Sequence, residues 1–135
     1  MQRQVISSGT PWEERAAYSR AVRVGPYVHI SGTTASDEHG KVQARGDAHG
    51  QAVYIFHKIE RALQTAGASL KDVVRTRMFV INMDDWEQVA RAHKACFDNV
   101  RPAATLVEVS RLIDPEMLVE IEVDAIVIES SIKTS

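Results

Sequence analysis

The chain has 135 residues, 44% of them apolar and 25% charged, which suits one globular domain. Sixteen basic and eighteen acidic side chains leave a net charge of −2. The arginines (Arg75, Arg77, Arg91, Arg101, Arg111) are scattered, so no nucleic-acid footprint is expected. No apolar run approaches the roughly 20 residues of a membrane-spanning helix.

The opening stretch MQRQVISSGTPWEER has no apolar signal core. Residues 3–7 admit a short strand. Val22–Val24 and Tyr27–Ser31 flank Gly25-Pro26 and predict a hairpin. Gly32–Gly46 is polar, with Asp37, His39 and Gly40 as turn formers, and reads as an exposed loop. Asp47 can cap a helix in which Ala52, Ile55, Phe56, Ile59, Leu63 and Ala66 recur at three-to-four spacing, stopped near Gly67. Val73–Ile81 is β-branched and apolar and predicts a strand.

Asp84 and Glu87 have the spacing of a capping box. They precede a second helix with Trp86, Val89, His93, Cys96 and Phe97 on its inner face, ended by Arg101-Pro102. Thr105–Arg111 and Leu118–Ile128 predict two last strands around an Asp114-Pro115 turn. The order is β-β-β-α-β-α-β-β, an α+β single domain with two helices on one face of a mixed sheet. The other sheet face is left uncovered, and its apolar residues predict burial by other subunits.

The last strand is unusual. Glu120, Glu122 and Asp124 alternate with Val119, Ile121, Val123 and Ala125, so the three acids project from one face. Bare burial of carboxylates is very costly, so the row marks a site or an interface.

The succession RPA, VEV, RL and VEIE, followed by an apolar strand, resembles the YjgF/RidA family of enamine/imine deaminases. The resemblance runs from about Tyr18 to Ile128. It implies a chorismate-mutase-like fold, a homotrimer, and small-molecule clefts between subunits. By the same resemblance, Glu120 matches the glutamate that positions or activates the hydrolytic water. An ion pair with a strand arginine is the other role open to it, and ion pairing is the role expected of Glu122 and Asp124. Tyr18 matches the family tyrosine, with pocket lining or an interface contact as its two roles. Ser31-Gly32-Thr33 matches the Ser-Gly step at a strand end, where glycine lets a ligand approach the backbone. Thr105 occupies the hydroxyl or thiol region of the pocket wall.

Two positions depart from the pattern. The deaminases place an arginine directly after the Pro-Ala step, to fork onto the substrate carboxylate; here Ala104 stands there. Ala90 stands where they often carry an asparagine. Arg20, two residues past Tyr18 and on its face if the segment is extended, is the first candidate to replace the cation, ahead of Arg91 and His93. An ion pair of Arg20 with Glu120 or Glu122 competes with that role.

The remaining features are blander. The histidines lack metal-ligand spacing: His49 and His57 lie about 80° apart around a helix. Cys96 sits on an apolar stripe, excludes an internal disulfide by being single, and suits a reducing cytoplasm. No phosphate loop is present, and no cofactor is predicted. Some family members are labelled endoribonucleases, but here no His pair, metal set or basic groove supports that.

The expected function is hydrolysis of a small reactive imine, enamine or related metabolite, with poor activity on 2-imino acids and a substrate that lacks a carboxylate. A non-catalytic ligand-binding trimer, or an accessory protein of a catabolic pathway, is the alternative.

Overall fold

In the computed structural model, which describes residues 1–128, six strands form one sheet. They are β1 (Arg3–Ile6), β2 (Ala21–Val24), β3 (Tyr27–Thr34), β4 (Val73–Val80), β5 (Ala103–Glu108) and β6 (Val119–Ile126). Their order is β1-β2-β3-β6-β4-β5, antiparallel throughout except for β4 and β5. That parallel pair needs a long crossover, which α3 (Trp86–Phe97) provides. The longer helix α2 (Ala48–Thr65) joins β3 to β4, and a six-residue helix, α1 (Pro11–Ala16), joins β1 to β2.

Local chemistry explains α2. The Asp47 carboxylate accepts the Gly50 N–H at 2.9 Å. Gly67, at φ +82°, takes the left-handed conformation that ends the helix. Between them the predicted stripe is buried, joined by Ala48, Gln51 and Ala62. Gln51 is a buried amide that stitches the helix to the segment leading into β6: its Oε1 accepts the Leu118 N–H at 2.8 Å and its Nε2 donates to the Glu116 carbonyl at 2.9 Å.

The helices cover one sheet face. Val28, Ile30, Met78, Val80 and the odd-numbered residues Val119 to Ala125 are buried against α2 and α3. Each aliphatic side chain so buried contributes about 1.5–3 kcal/mol of transfer free energy. His93 completes this layer. It shares a hydrogen bond of 2.9 Å with Thr76 Oγ1 and packs against Phe56 and Phe97, and burial holds its pKa below the usual value.

Several predicted details differ. Residues Gly32–Thr34 belong to β3 rather than to the polar loop, which closes instead through a bridge between Ser36 and Val42. Asp84 and Glu87 form no capping box. A 3₁₀ turn over Met83–Asp85 intervenes, capped by Asn82, and Asp85 begins α3 without a side-chain cap. Trp86 is half exposed, so the inner stripe of α3 is Val89, Ala92 and Phe97, flanked by His93 and Cys96. The last two strands are Ala103–Glu108 and Val119–Ile126, shorter or shifted relative to expectation.

The opposite sheet face is uncovered in the single chain. Val5, Tyr27, Val107 and Ile126 are exposed on it. Between them Arg77 sits 3.0 Å from Asp124 and 3.5 Å from Glu122, and His29 Nδ1 sits 2.7 Å from Asp124.

Candidate functional site

The acid row divides when its partners are examined. Glu122 and Asp124 pair with Arg77. Glu120 has no ion-pair or hydrogen-bond partner among the described residues, and it lies in register with Thr34 of β3. Its carboxylate rests on Gly32, where any side chain would overlap Oε2. Glycine leaves room for that close approach, and a Cβ would push the carboxylate aside. Burial pushes the Glu120 pKa up, the neighbouring Glu122 charge adds to the rise, and Arg20 opposes it.

Glu120, Gly32 and Thr34 form the strand wall of a cavity of about 460 Å³. The N-terminal segment supplies the facing wall through Trp12, Arg15 and Tyr18, and Ile113 of the β5–β6 connection closes one side. Tyr18 is aimed by the end of α1. Ala17 adopts a left-handed conformation (φ 58°, ψ 52°), uncommon for a residue with a Cβ, and the Tyr18 N–H donates to the Glu13 carbonyl at 3.1 Å.

Behind this wall lies a buried charge network. Arg20 is 4% exposed and Glu13 5% exposed, with the Arg20 Nε 3.6 Å from Glu13 Oε2. Arg20 Nη1 donates to the Gly32 carbonyl at 2.8 Å and to Thr33 Oγ1 at 2.9 Å. Its Nη2 reaches the Tyr18 hydroxyl at 3.4 Å, so the Tyr18 oxygen accepts and its own proton is free to point into the cleft.

Glu13 is satisfied by the Ser7 and Thr10 hydroxyls at 3.1 and 2.8 Å, by the Ser8 N–H at 3.1 Å and by the Ser8 hydroxyl. Burial alone would raise its pKa, but these donors outweigh burial and hold the carboxyl at about 2. A second cation, Lys58 of α2, donates from Nζ to the Thr34 and Ser36 carbonyls, each at 2.7 Å. Burial and the Arg20 charge bring its pKa down to about 8.

Of the residues singled out from the sequence, Glu120, Tyr18 and Gly32 therefore meet at the cleft. Ser31 and Thr33 support it from within. The Ser31 hydroxyl donates to the Ser19 carbonyl at 2.6 Å, and the Thr33 hydroxyl donates to the Ser31 carbonyl at 2.7 Å. Arg20 is behind the wall. Tyr18 and Arg20 precede β2 instead of lying on a strand, and the ion partner of Arg20 is Glu13, not Glu120 or Glu122.

Thr105 lies on the edge strand β5, outside the cavity of the single chain, with its hydroxyl accepting from Arg75 at 3.1 Å. Ala104 is exposed on the same strand, and Ala90 and Arg91 lie on the outer part of α3. Among the described residues no three His, Cys, Asp or Glu side chains are grouped as metal ligands, and no helix is long and apolar enough to cross a membrane.

Trp12, Arg15, Thr34 and Ile113 went unnoticed in the sequence. A signal for α1 was present: Thr10-Pro11 with Glu13 and Glu14 in the following turn has the composition of a helix start. A chemistry that uses these parts is acid–base catalysis, with a carboxylate of raised pKa beside a hydroxyl donor in a largely apolar cleft.

Comparison with known proteins agrees with the fold. Residues 10–127 match the family model described as Endoribonuclease L-PSP. A 3-aminoacrylate deaminase of Acinetobacter baylyi is 32% identical over 117 residues, covering 87% of this chain and 91% of the relative. An uncharacterised protein of Streptomyces coelicolor is 38% identical over 120 residues, 89% of each chain. A crystal structure from Mycobacterium tuberculosis, of a member of the YjgF family, superposes with a TM-score of 0.85 at 44% identity, covering 93% of this chain and all of that one. The chain belongs to the YjgF/RidA family, whose fold it shares.

Proposed function

We propose that the chain is a RidA-like hydrolase of small reactive imines or enamines, with Glu120 as the group that activates water. The observation that carries this reading is the isolation of Glu120. It is the one acid of the β6 row without a partner among the described residues, and it sits at the cleft with a raised pKa. A relative that deaminates 3-aminoacrylate supports the reaction class.

The chemistry follows from the parts. A water held between Glu120 and the imine carbon gives a proton to the carboxylate as its oxygen bonds to carbon, and the C=N π pair moves to nitrogen. The Tyr18 O–H hydrogen-bonds that nitrogen as its basicity grows. Glu120 then returns this proton to nitrogen to give the neutral carbinolamine. A second transfer, from the carbinolamine hydroxyl through Glu120 to the same nitrogen, makes ammonia the leaving group as the C–N bond breaks and the carbonyl forms. An enamine enters the same sequence after protonation at carbon.

The same reading includes a homotrimer. The apolar residues exposed on the uncovered sheet face, Val5, Tyr27, Val107 and Ile126, support it. Assembly would bring the edge strand with Thr105 and Ala104 near a neighbouring cleft.

The test is ammonia release from freshly generated imines. Glu120→Gln is expected to abolish it and leave thermal stability unchanged, because Glu120 has no ion partner to lose. The second reading, a ligand-binding protein without turnover, draws on Ala104, which supplies no cation. It predicts ligand-dependent stabilisation with no product in either protein.

A further inference from the structure

Three features of the cleft are not used by the hydrolytic reading. The first is Arg15, on the last turn of α1. It lines the cavity, is exposed, and forms no ion pair among the described residues. Arg20 differs in each respect, being buried and paired with Glu13. The second is an apolar wall of Trp12 and Ile113, the latter 70% exposed and outside the hydrophobic core. The third is volume. A cavity of about 460 Å³ is in the range of sites for ligands well beyond three or four carbons.

A guanidinium without a partner, lining an apolar cleft, is suited to a planar anion, since it offers two parallel N–H donors. An isoleucine and a tryptophan facing the same space gain by covering apolar ligand surface, at about 25 cal/mol per Å² removed from water.

We propose that this cleft selects a carboxylate-bearing imine or enamine with a bulky apolar or aromatic side chain, with Arg15 holding the carboxylate and Trp12 and Ile113 holding the side chain. The proposal rests on the hydrolytic reading of Glu120 and supplies its substrate class. It also replaces the sequence-based expectation of a substrate without a carboxylate. That expectation followed from Ala104 alone, and Arg15 provides a cation from a different element.

The oxygen analogues of such imines are stable and serve as probes: phenylpyruvate, its methyl ester and pyruvate, titrated calorimetrically into the full-length protein. Phenylpyruvate is expected to bind about tenfold to a hundredfold more tightly than its ester, the worth of a charge-assisted contact. It should exceed pyruvate by a similar factor. Arg15→Gln should bring the acid-to-ester ratio to within about threefold of unity, and Arg15→Lys should give an intermediate ratio. Ile113→Ala and Trp12→Phe should lower the phenylpyruvate-to-pyruvate ratio.

An acid-to-ester ratio that survives Arg15→Gln overturns the assignment of Arg15. Equal affinity for phenylpyruvate and pyruvate, or no binding of any probe, overturns the substrate class. If the binding ratios hold while the phenylpyruvate imine is not hydrolysed, the hydrolytic reading fails and the recognition site stands. If the imine is hydrolysed but the ratios ignore Arg15, the reverse holds.

Discussion

The Glu120 carboxylate lies directly on the Cα of Gly32, and the Gly32 carbonyl is held at 2.8 Å by Arg20 Nη1. The acid at the cleft and the cation behind it thus act on the same residue of β3. Gly32 also lies where the register of β3 against β6 shifts, between Ile30 and Thr33, a place in a strand where glycine costs no pairing and a close approach can be accommodated.

Substituting Gly32 by alanine is expected to separate function from folding. The methyl group meets the end of a flexible side chain, so Glu120 can swing away. Unfolding free energy should change by no more than about 1 kcal/mol, within the usual range for point changes. Glu120-dependent ammonia release should fall by about tenfold to a hundredfold, as a misplaced catalytic group implies. Denaturant unfolding and turnover measured on one preparation check both halves.

Arg20→Gln should be costly to the fold. It leaves the buried Glu13 carboxylate without its cation and the Gly32 carbonyl without its donor. Breaking a buried pair in this way destabilises by roughly 3–5 kcal/mol, read as a lower urea midpoint. Arg20→Lys keeps a charge near Glu120 but loses the fork, and should retain part of the stability. Because Arg20 opposes the rise in the Glu120 pKa, the acid limb of the turnover profile should move to higher pH in Arg20→Gln and stay near its place in Arg20→Lys.

Acid stability should report on Glu13. Its carboxyl titrates at about 2 in the folded chain, against an ordinary value of 4.5. The folded state thus binds this proton more weakly than the unfolded state. The stabilisation is present above pH 4.5 and is lost as pH falls from there towards 2. The shift is worth roughly 3 kcal/mol. Glu13→Gln should be less stable at neutral pH and show a shallower loss over the same window in thermal melts.

Val107→Asp tests the assembly. Val107 is exposed on the edge strand β5, so in a monomer the change should stay within about 0.5 kcal/mol. In a trimer that buries this face it places an unpaired carboxylate in an interface, and sedimentation should show dissociation at micromolar concentration. Sedimentation of Val107→Asp as an intact trimer would place the interface elsewhere.

The architecture of this protein was legible in the sequence, because alternation and three-to-four spacing are local patterns. The α2 stripe, its Asp47 cap and the split of β6 into buried aliphatics and outward acids need no knowledge of distant contacts. Tyr18, Gly32 and Glu120 were found through the pattern of short motifs around them. Which acid stands alone was decided by pairing across strands: Arg77 lies opposite Glu122, and nothing cationic lies opposite Glu120. The place of Arg20 was decided by the left-handed turn at Ala17 and by Glu13, a carboxylate on a helix too short to announce itself by periodicity. Arg15 and Ile113 are far apart in sequence and face one cavity only once α1 and the β5–β6 connection fold against the ends of β3 and β6. A side chain's period along the chain sets its face, but its partner is set by which strand arrives beside it, and that is a property of the whole sheet.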